Sequence, residues 1–276
     1  MRHGLLEGLR DAVSEAALAV LSVFNSRDFQ VTSKGAAGPL TSADLLANEI
    51  LEKRLLALFP GAWLSEESAD NASRLKESAV WIVDPIDGTR EFVNHSKEFS
   101  VSAGLVVAGQ TIAAAVAMPA EDRIVYGSPG AGVISQSLRT GQRSHCSLSP
   151  RRDLDGCVIL VSSTEHKKGT FDSIRADFDI RPMGSIARKL ALLSAGEGDL
   201  VISFYPKNDW DICGGTGLVL SHPDSLVTDL RFMVGRYFNQ SSNLSYGLAA
   251  GPASLVRDFH NYFLGKKILL RENYGE

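Results

Sequence analysis

The chain has 276 residues, of which 44% are hydrophobic and 22% charged. That balance suits a soluble protein with a large core and excludes a disordered, collagen-like or disulfide-stapled chain. A formal net charge of −4 leaves no basic surplus for a nucleic-acid polymer or an anionic membrane. Three widely spaced cysteines, Cys146, Cys157 and Cys213, form neither a disulfide framework nor a zinc site and suit a reducing cytoplasm.

The opening stretch is apolar but interrupted by Glu7, Arg10, Asp11 and Glu15. Leu6, Leu9, Val13, Ala17 and Val20 recur at helical spacing, so a helix packed on the core is expected, not a signal peptide or a membrane span. A second helix is predicted from Thr41 to Leu58, with Thr41 as its cap, Asp44 three residues on, and Leu45, Ile50, Leu51, Leu55 and Leu58 as its buried stripe. Short runs of strand character follow: AWLS (62–65), VWIV (80–83), VSAGLVV (101–107), TIAAAVAM (111–118) and RIVYG (123–127). The middle three read as neighbouring strands joined by tight turns. The polar stretch from Thr140 to Gly156 is expected to be a loop between two halves, residues 1–150 and 151–276. In the second half, strands at VILVSS, DIRPM and DLVISF alternate with helices near 168–176 and from Ser185 to Ala195. Further helices are predicted from about Ile212 and from Ala253 to Leu264. The mixture implies layered α/β structure.

Carboxylates fall where strands end. VWIV runs into Asp84-Pro85-Ile86-Asp87-Gly88-Thr89, AWLS into Glu66-Glu67, and DLVISF leads to Asp209-Trp210-Asp211. Pro85 biases Asp84 toward an extended backbone, and Gly88 permits a turn from which Thr89 opens a short helix through Arg90, Glu91 and Phe92. Alone, each feature is an ordinary turn or surface pair. Together, acids without His or Cys partners point to a hard divalent cation such as Mg²⁺. The amides of Gly88 and Thr89 supply an anion cradle beside it, and the pair is equipment for phosphate-ester hydrolysis.

WIVDPIDGT (81–89) followed by WDICGG (210–215) resembles the paired signatures of the inositol monophosphatase superfamily of Mg²⁺-dependent, lithium-sensitive phosphatases. TSADLLANEI (41–50), LSEES (64–68) and GLAAGP (247–252) fit in the same order. The resemblance implies an αβαβα sandwich. It implies metal ligation by Glu66, Asp84, Asp87, Asp211 and the Ile86 carbonyl, and phosphate binding by Gly88 and Thr89. Thr89 with Asp44, assisted by Glu66, would activate the attacking water, and Gly184-Ser185 would form a substrate-side loop. Two Mg²⁺ ions and a homodimer are further implications. Relatives hold a third, weaker metal with an acid after the Lys34 position, but no acid occurs between Asp28 and Asp44 here.

DGTREF (87–92), VSSTEH (161–166) and YPKNDWD (205–211) are similar to stretches of the 3′(2′),5′-bisphosphate nucleotidase branch. The acid that inositol-specific members carry before the second motif is absent from ISFYPKN (202–208). The expected substrate is therefore 3′-phosphoadenosine 5′-phosphate, released as AMP and phosphate. Inositol or other sugar phosphates, and a non-catalytic metabolite-binding role, are the alternatives. His166 reads equally as a nucleotide contact or a solvated loop residue. Lys207 and Arg90 are candidates for a second phosphate, and Asp209 for a supporting or exposed position. Trp81, Trp210 and Cys213 read as packing residues.

Overall fold

The computed structural model describes residues 2–35, 38–231, 238–239, 243–244 and 246–265. In chain order the elements are α1 (Arg2–Ser26), β1 (Val31–Ser33), β2 (Pro39–Thr41), α2 (Ser42–Leu58), β3 (Ala62–Ser65), β4 (Ala79–Asp87), α3 (Thr89–Val93), β5 (Ser100–Val107), β6 (Gln110–Met118), β7 (Arg123–Ser128), β8 (Gly132–Ser137) and β9 (Arg143–Cys146). They continue with β10 (Val158–Ser162), α4 (Ser163–Lys167), β11 (Asp179–Met183), α5 (Ile186–Ser194), β12 (Leu200–Ser203), β13 (Lys207–Asn208), α6 (Asp209–Val219), β14 (Ser225–Thr228), β15 (Asn243–Leu244), β16 (Leu248–Pro252) and α7 (Ala253–Gly265).

β3 to β9 form a seven-stranded sheet in sequential order, and a five-stranded sheet runs β11-β10-β12-β16-β14. Alternation along the strands sorts side chains into separate cores. Trp81 and Val83 face α1 and α2, where Leu9, Val13, Leu51 and Leu55 are fully buried. Val80 and Ile82 face the opposite way, onto α5 and α6, which lie between the two sheets. α7 covers the far side of the second sheet with Leu255, Val256 and Phe259. The layers are helix, sheet, helix, sheet, helix, as expected. No helix among the described residues is long and apolar enough to cross a membrane.

Several expectations need correction. Leu45 is 51% exposed; Ala43, Asp44 and Ala47 take the buried face of α2 with Leu51 and Leu55. The segment 140–156 is not all loop, because β9 pairs antiparallel with β8 through Ser135 opposite Ser144. Of the three strands expected to be joined by tight turns, β4, β5 and β6, the turn at Ala108-Gly109 joins β5 to β6, whereas α3 lies between β4 and β5. The helix expected at 168–176 is a series of turns, and the helical residues sit earlier, in α4, capped by Ser162. α6 begins at Asp209, three residues before Ile212.

α6 lies unusually close to the first sheet. A Cβ on Gly214 would collide with Ser102 Oγ, and one on Gly104 of β5 with Cys213 Sγ. Glycine at both positions lets the helix backbone approach the strand and fixes the height of the helix N-terminus above the ends of β3 and β4.

Candidate active site

β3 and β4 pair in parallel, with Ser65 beside Val83, so the chain leaving β3 meets the acidic end of β4. The Glu66 amide donates to the Val83 carbonyl at 3.3 Å. β4 then shifts register against β5 between Asp84 and Asp87, where Pro85 has no N–H to donate. The third acid comes from a helix and not from a strand end. Asp211 is the third residue of α6, and its Oδ2 accepts the Asn208 amide at 2.7 Å in a capping box.

Carboxylate oxygens of Glu66, Asp84 and Asp211 converge within 4.8 Å of one another. Asp84 is buried, and its Oδ1 has no hydrogen-bond partner among the described residues. Burial first, then the charges of Glu66, Asp87 and Asp211, push the Asp84 pKa well above the carboxylate range. Burial and Asp87 push Asp211 up to about 7, and Glu66 and Asp87 are raised as well, chiefly by burial. Buried acids that repel one another and leave an oxygen without a donor fit a bound divalent cation, which would relieve both problems.

Asp87 lies at the same cleft but is turned toward the second half of the chain. Its Oδ2 accepts from Ser185 Oγ at 2.5 Å and from the Ala187 amide at 2.6 Å. The Ile86 carbonyl accepts from Thr89 Oγ1 at 3.0 Å. Thr89 also reaches Asp44 Oδ1 at 3.3 Å. Behind it, Asp44 Oδ2 accepts the Thr41 amide at 2.7 Å and the Thr41 hydroxyl at 2.5 Å. Asp44 is fully buried, and its pKa is raised by that burial. Gly88 caps α3 at φ +96, and a Cβ there would lie 3.0 Å from the Glu98 carbonyl. Only glycine suits this turn, which opens α3 toward the cleft.

The cleft encloses about 280 Å³ and is lined by Glu66, Asp84, Ile86, Asp87, Gly88, Thr89, Gly184, Ser185 and Asp211, with Asp44 one residue behind. Arg90 and Lys207 line it too, whereas His166 does not, although Ser162, Ser163 and Thr164 do. Lys207 stands 3.8 Å from buried Glu165, and burial lowers its pKa. Asp209 is wholly buried, so an exposed position is ruled out; its Oδ2 accepts the Asn239 amide at 3.4 Å. Trp81 and Cys213 are buried in the cores and Trp210 packs against the inter-sheet core, as expected.

Near the site, Lys34 is read in the sequence only as a landmark for a third metal, and Glu165 and Lys189 are given no role there. Lys34 Nζ bridges Glu66 at 3.0 Å and Glu67 at 2.9 Å. Burial opposes its charge, but the two glutamates prevail and its pKa is raised. Glu165 accepts from Ser203 Oγ at 2.5 Å and the Phe204 amide at 2.8 Å. Lys189 is buried on α5, and desolvation lowers its pKa to about 8. A lysine on the apolar stripe of Ile186, Leu190 and Leu193 is a signal the sequence did carry.

Comparison with known proteins identifies the family and the fold. A sequence model described as the inositol monophosphatase family matches residues 2–221. Nus factor SuhB of Vibrio cholerae is 27% identical over 244 residues, covering 86% of this chain and 88% of that protein. The 3′(2′),5′-bisphosphate nucleotidase CysQ of Aggregatibacter actinomycetemcomitans is 28% identical over 252 residues, covering 90% and 91%. The solved structure of the Thermotoga maritima IMPase shares the fold, with a TM-score of 0.77 at 23% identity over 93% of this chain and 94% of that one. The layered fold, the acidic cluster and a family match over most of the length agree: the chain belongs to the inositol monophosphatase family, a family of Mg²⁺-dependent phosphatases.

Proposed function

We propose that the chain is a phosphomonoesterase that hydrolyses 3′-phosphoadenosine 5′-phosphate to AMP and phosphate. The observation that carries the chemistry is Asp84, buried with an oxygen that has no donor among the described residues while Glu66 and Asp211 converge on it. In this reading two Mg²⁺ ions are held by Glu66, Asp84, Asp87, Asp211 and the Ile86 carbonyl. When bound, Mg²⁺ offsets charge on the phosphoryl group and leaving oxygen and acidifies water.

The chain's own residues supply the rest. The Gly88 and Thr89 amides hold phosphate oxygens, and Gly184 and Ser185 border the substrate. Thr89 Oγ1 lies within reach of both the Ile86 carbonyl and Asp44 Oδ1; with its one proton turned to Asp44, its lone pairs are free to accept a proton from the attacking water, with Glu66 assisting. The burial that raises the Asp44 pKa makes it a stronger acceptor for the Thr89 proton.

Support for the nucleotide comes from Lys207. Its Nζ donates to the Tyr205 and Pro206 carbonyls, which leaves one N–H, shared with Glu165 at 3.8 Å; a cation lining the cleft in a stretch that has no acid before Asp209 suits a second phosphate better than sugar hydroxyls. The relative named a 3′(2′),5′-bisphosphate nucleotidase agrees with this choice. The test is phosphate release with Mg²⁺ from 3′-phosphoadenosine 5′-phosphate, inositol 1-phosphate and fructose 1,6-bisphosphate, each with and without Li⁺. Preference for the nucleotide, suppressed by Li⁺, is expected. Preference for a sugar phosphate would keep the chemistry and overturn the substrate, and no release from any of them would leave a metabolite-binding role.

A further inference from the structure

The turn between β11 and α5 is held in an unfavourable shape. Ser185 has φ +49 and ψ 118, a conformation that non-glycine residues avoid unless their surroundings impose it. Glu98 and Ser100 hold the turn from the first sheet, and Lys189, one turn into α5, holds it from below. Its ammonium donates to the carbonyls of Met183 at 3.2 Å, Gly184 at 3.2 Å and Ser185 at 2.9 Å. An ammonium has three N–H bonds, and all three are engaged. Lys189 therefore borders the cleft without a donor left for a ligand. On its other side, the same turn fixes Asp87 through Ser185 Oγ and the Ala187 amide.

We propose that Lys189 is a positioning residue: it gathers three carbonyls that would otherwise repel one another and holds the turn in the one shape that locks the Asp87 carboxylate. With Oδ2 committed to the turn, Oδ1 is the oxygen left for a ligand. Lys189 thus acts on the metal bed through Asp87 and does not touch the substrate. This rests on the reading that Asp87 ligates Mg²⁺.

The test pairs hydrogen exchange on the metal-free full chain with Mg²⁺ calorimetry. In Lys189→Met, exchange of the Ala187 amide should speed up by about tenfold or more, with α1 unchanged. The Kd for Mg²⁺ should rise about 10- to 100-fold, the usual effect of losing a group that orients a ligand. Ser185→Ala should reproduce the Mg²⁺ loss with Lys189 intact, and the double variant should lose less than the sum of the two. Unchanged exchange at Ala187 would overturn the proposal, as would a loosened turn with Mg²⁺ affinity intact. A raised KM with both quantities intact would also overturn it and make Lys189 a substrate contact. Should Lys189→Met fail to fold, Lys189→Gln keeps two donors and should fall between wild type and full loss; wild-type behaviour there counts against the clamp. A wild type that binds no Mg²⁺ would defeat the metal reading instead, and the exchange result then decides for or against the clamp alone.

Discussion

Asp84 shows how a residue can oppose folding and still be required. It is buried, its Oδ1 has no donor among the described residues, and burial together with the charges of Glu66, Asp87, Asp211 and Asp44 raises its pKa. Asp84→Asn removes the repulsion at nearly constant shape. The metal-free variant should therefore gain about 1 kcal/mol in stability while phosphatase activity falls at least about 100-fold. Denaturant melts in EDTA beside phosphate-release assays in Mg²⁺ check the pair. A variant that is both less stable and fully active would overturn this account of Asp84.

At the scale of elements, the short helix α3 depends on its cap. Gly88 sits at φ +96 with the Glu98 carbonyl and Phe99 backbone packed against the place a Cβ would take. Gly88→Ala should cost about 1 to 2 kcal/mol and turn the Thr89 hydroxyl away from Asp44, lowering kcat more than it raises KM. Steady-state kinetics and a melt read both.

Such elements were legible in the sequence because local rules agree on them. The continuous β-branched and aromatic run of β4, Pro85 and Gly88 identify a strand, its extended continuation at Asp84 and a turn without reference to the rest of the fold. The capping of α2 by Thr41 and Asp44 was legible for the same reason. Tertiary packing decided what was misread. Leu45 is apolar but falls outside the face that α1 and β4 cover. β9, with its polar Arg143 and Ser144, is a strand only because β8 offers an edge to pair with. The Lys189 clamp needs a turn and a helix together, and spacing alone does not reveal it. The Asp87 contact to Ala187 joins residues 100 apart, beyond the reach of any periodic pattern.

For the whole molecule, the two sheets and the helices between them bring together charges that water would otherwise keep apart. In the metal-free protein the folded state binds the Asp211 proton more tightly than the unfolded chain does, because that group is pushed up to about 7. Its contribution to stability is complete below the ordinary aspartate value and is lost as pH rises from about 4 to about 7. Mg²⁺ offsets the exposed repulsion only where the carboxylates are ionised, so it should raise Tm more at about pH 7.5 than at about pH 5. Thermal melts across pH, with EDTA and with Mg²⁺, check this. An equal Mg²⁺ effect at both pH values would separate the stability of the fold from the acidic cluster.

The cluster also has an order of assembly written into it. Glu66 follows β3 and Asp84 lies in β4, its parallel neighbour, so these two can meet as soon as the first sheet pairs, whereas the Asp87 carboxylate is held by Ser185 and the Ala187 amide of the second half. Asp211 arrives on a helix more than a hundred residues later and is seated only when glycine-lined α6 docks against β5. During synthesis from the N-terminus, the first sheet can therefore form while its acidic cleft is only partly built and only partly self-repelling. The docking of α6 completes the site and adds the last carboxylate to the cluster, so a nascent chain can fold its first layers before meeting the full electrostatic opposition of its own active site.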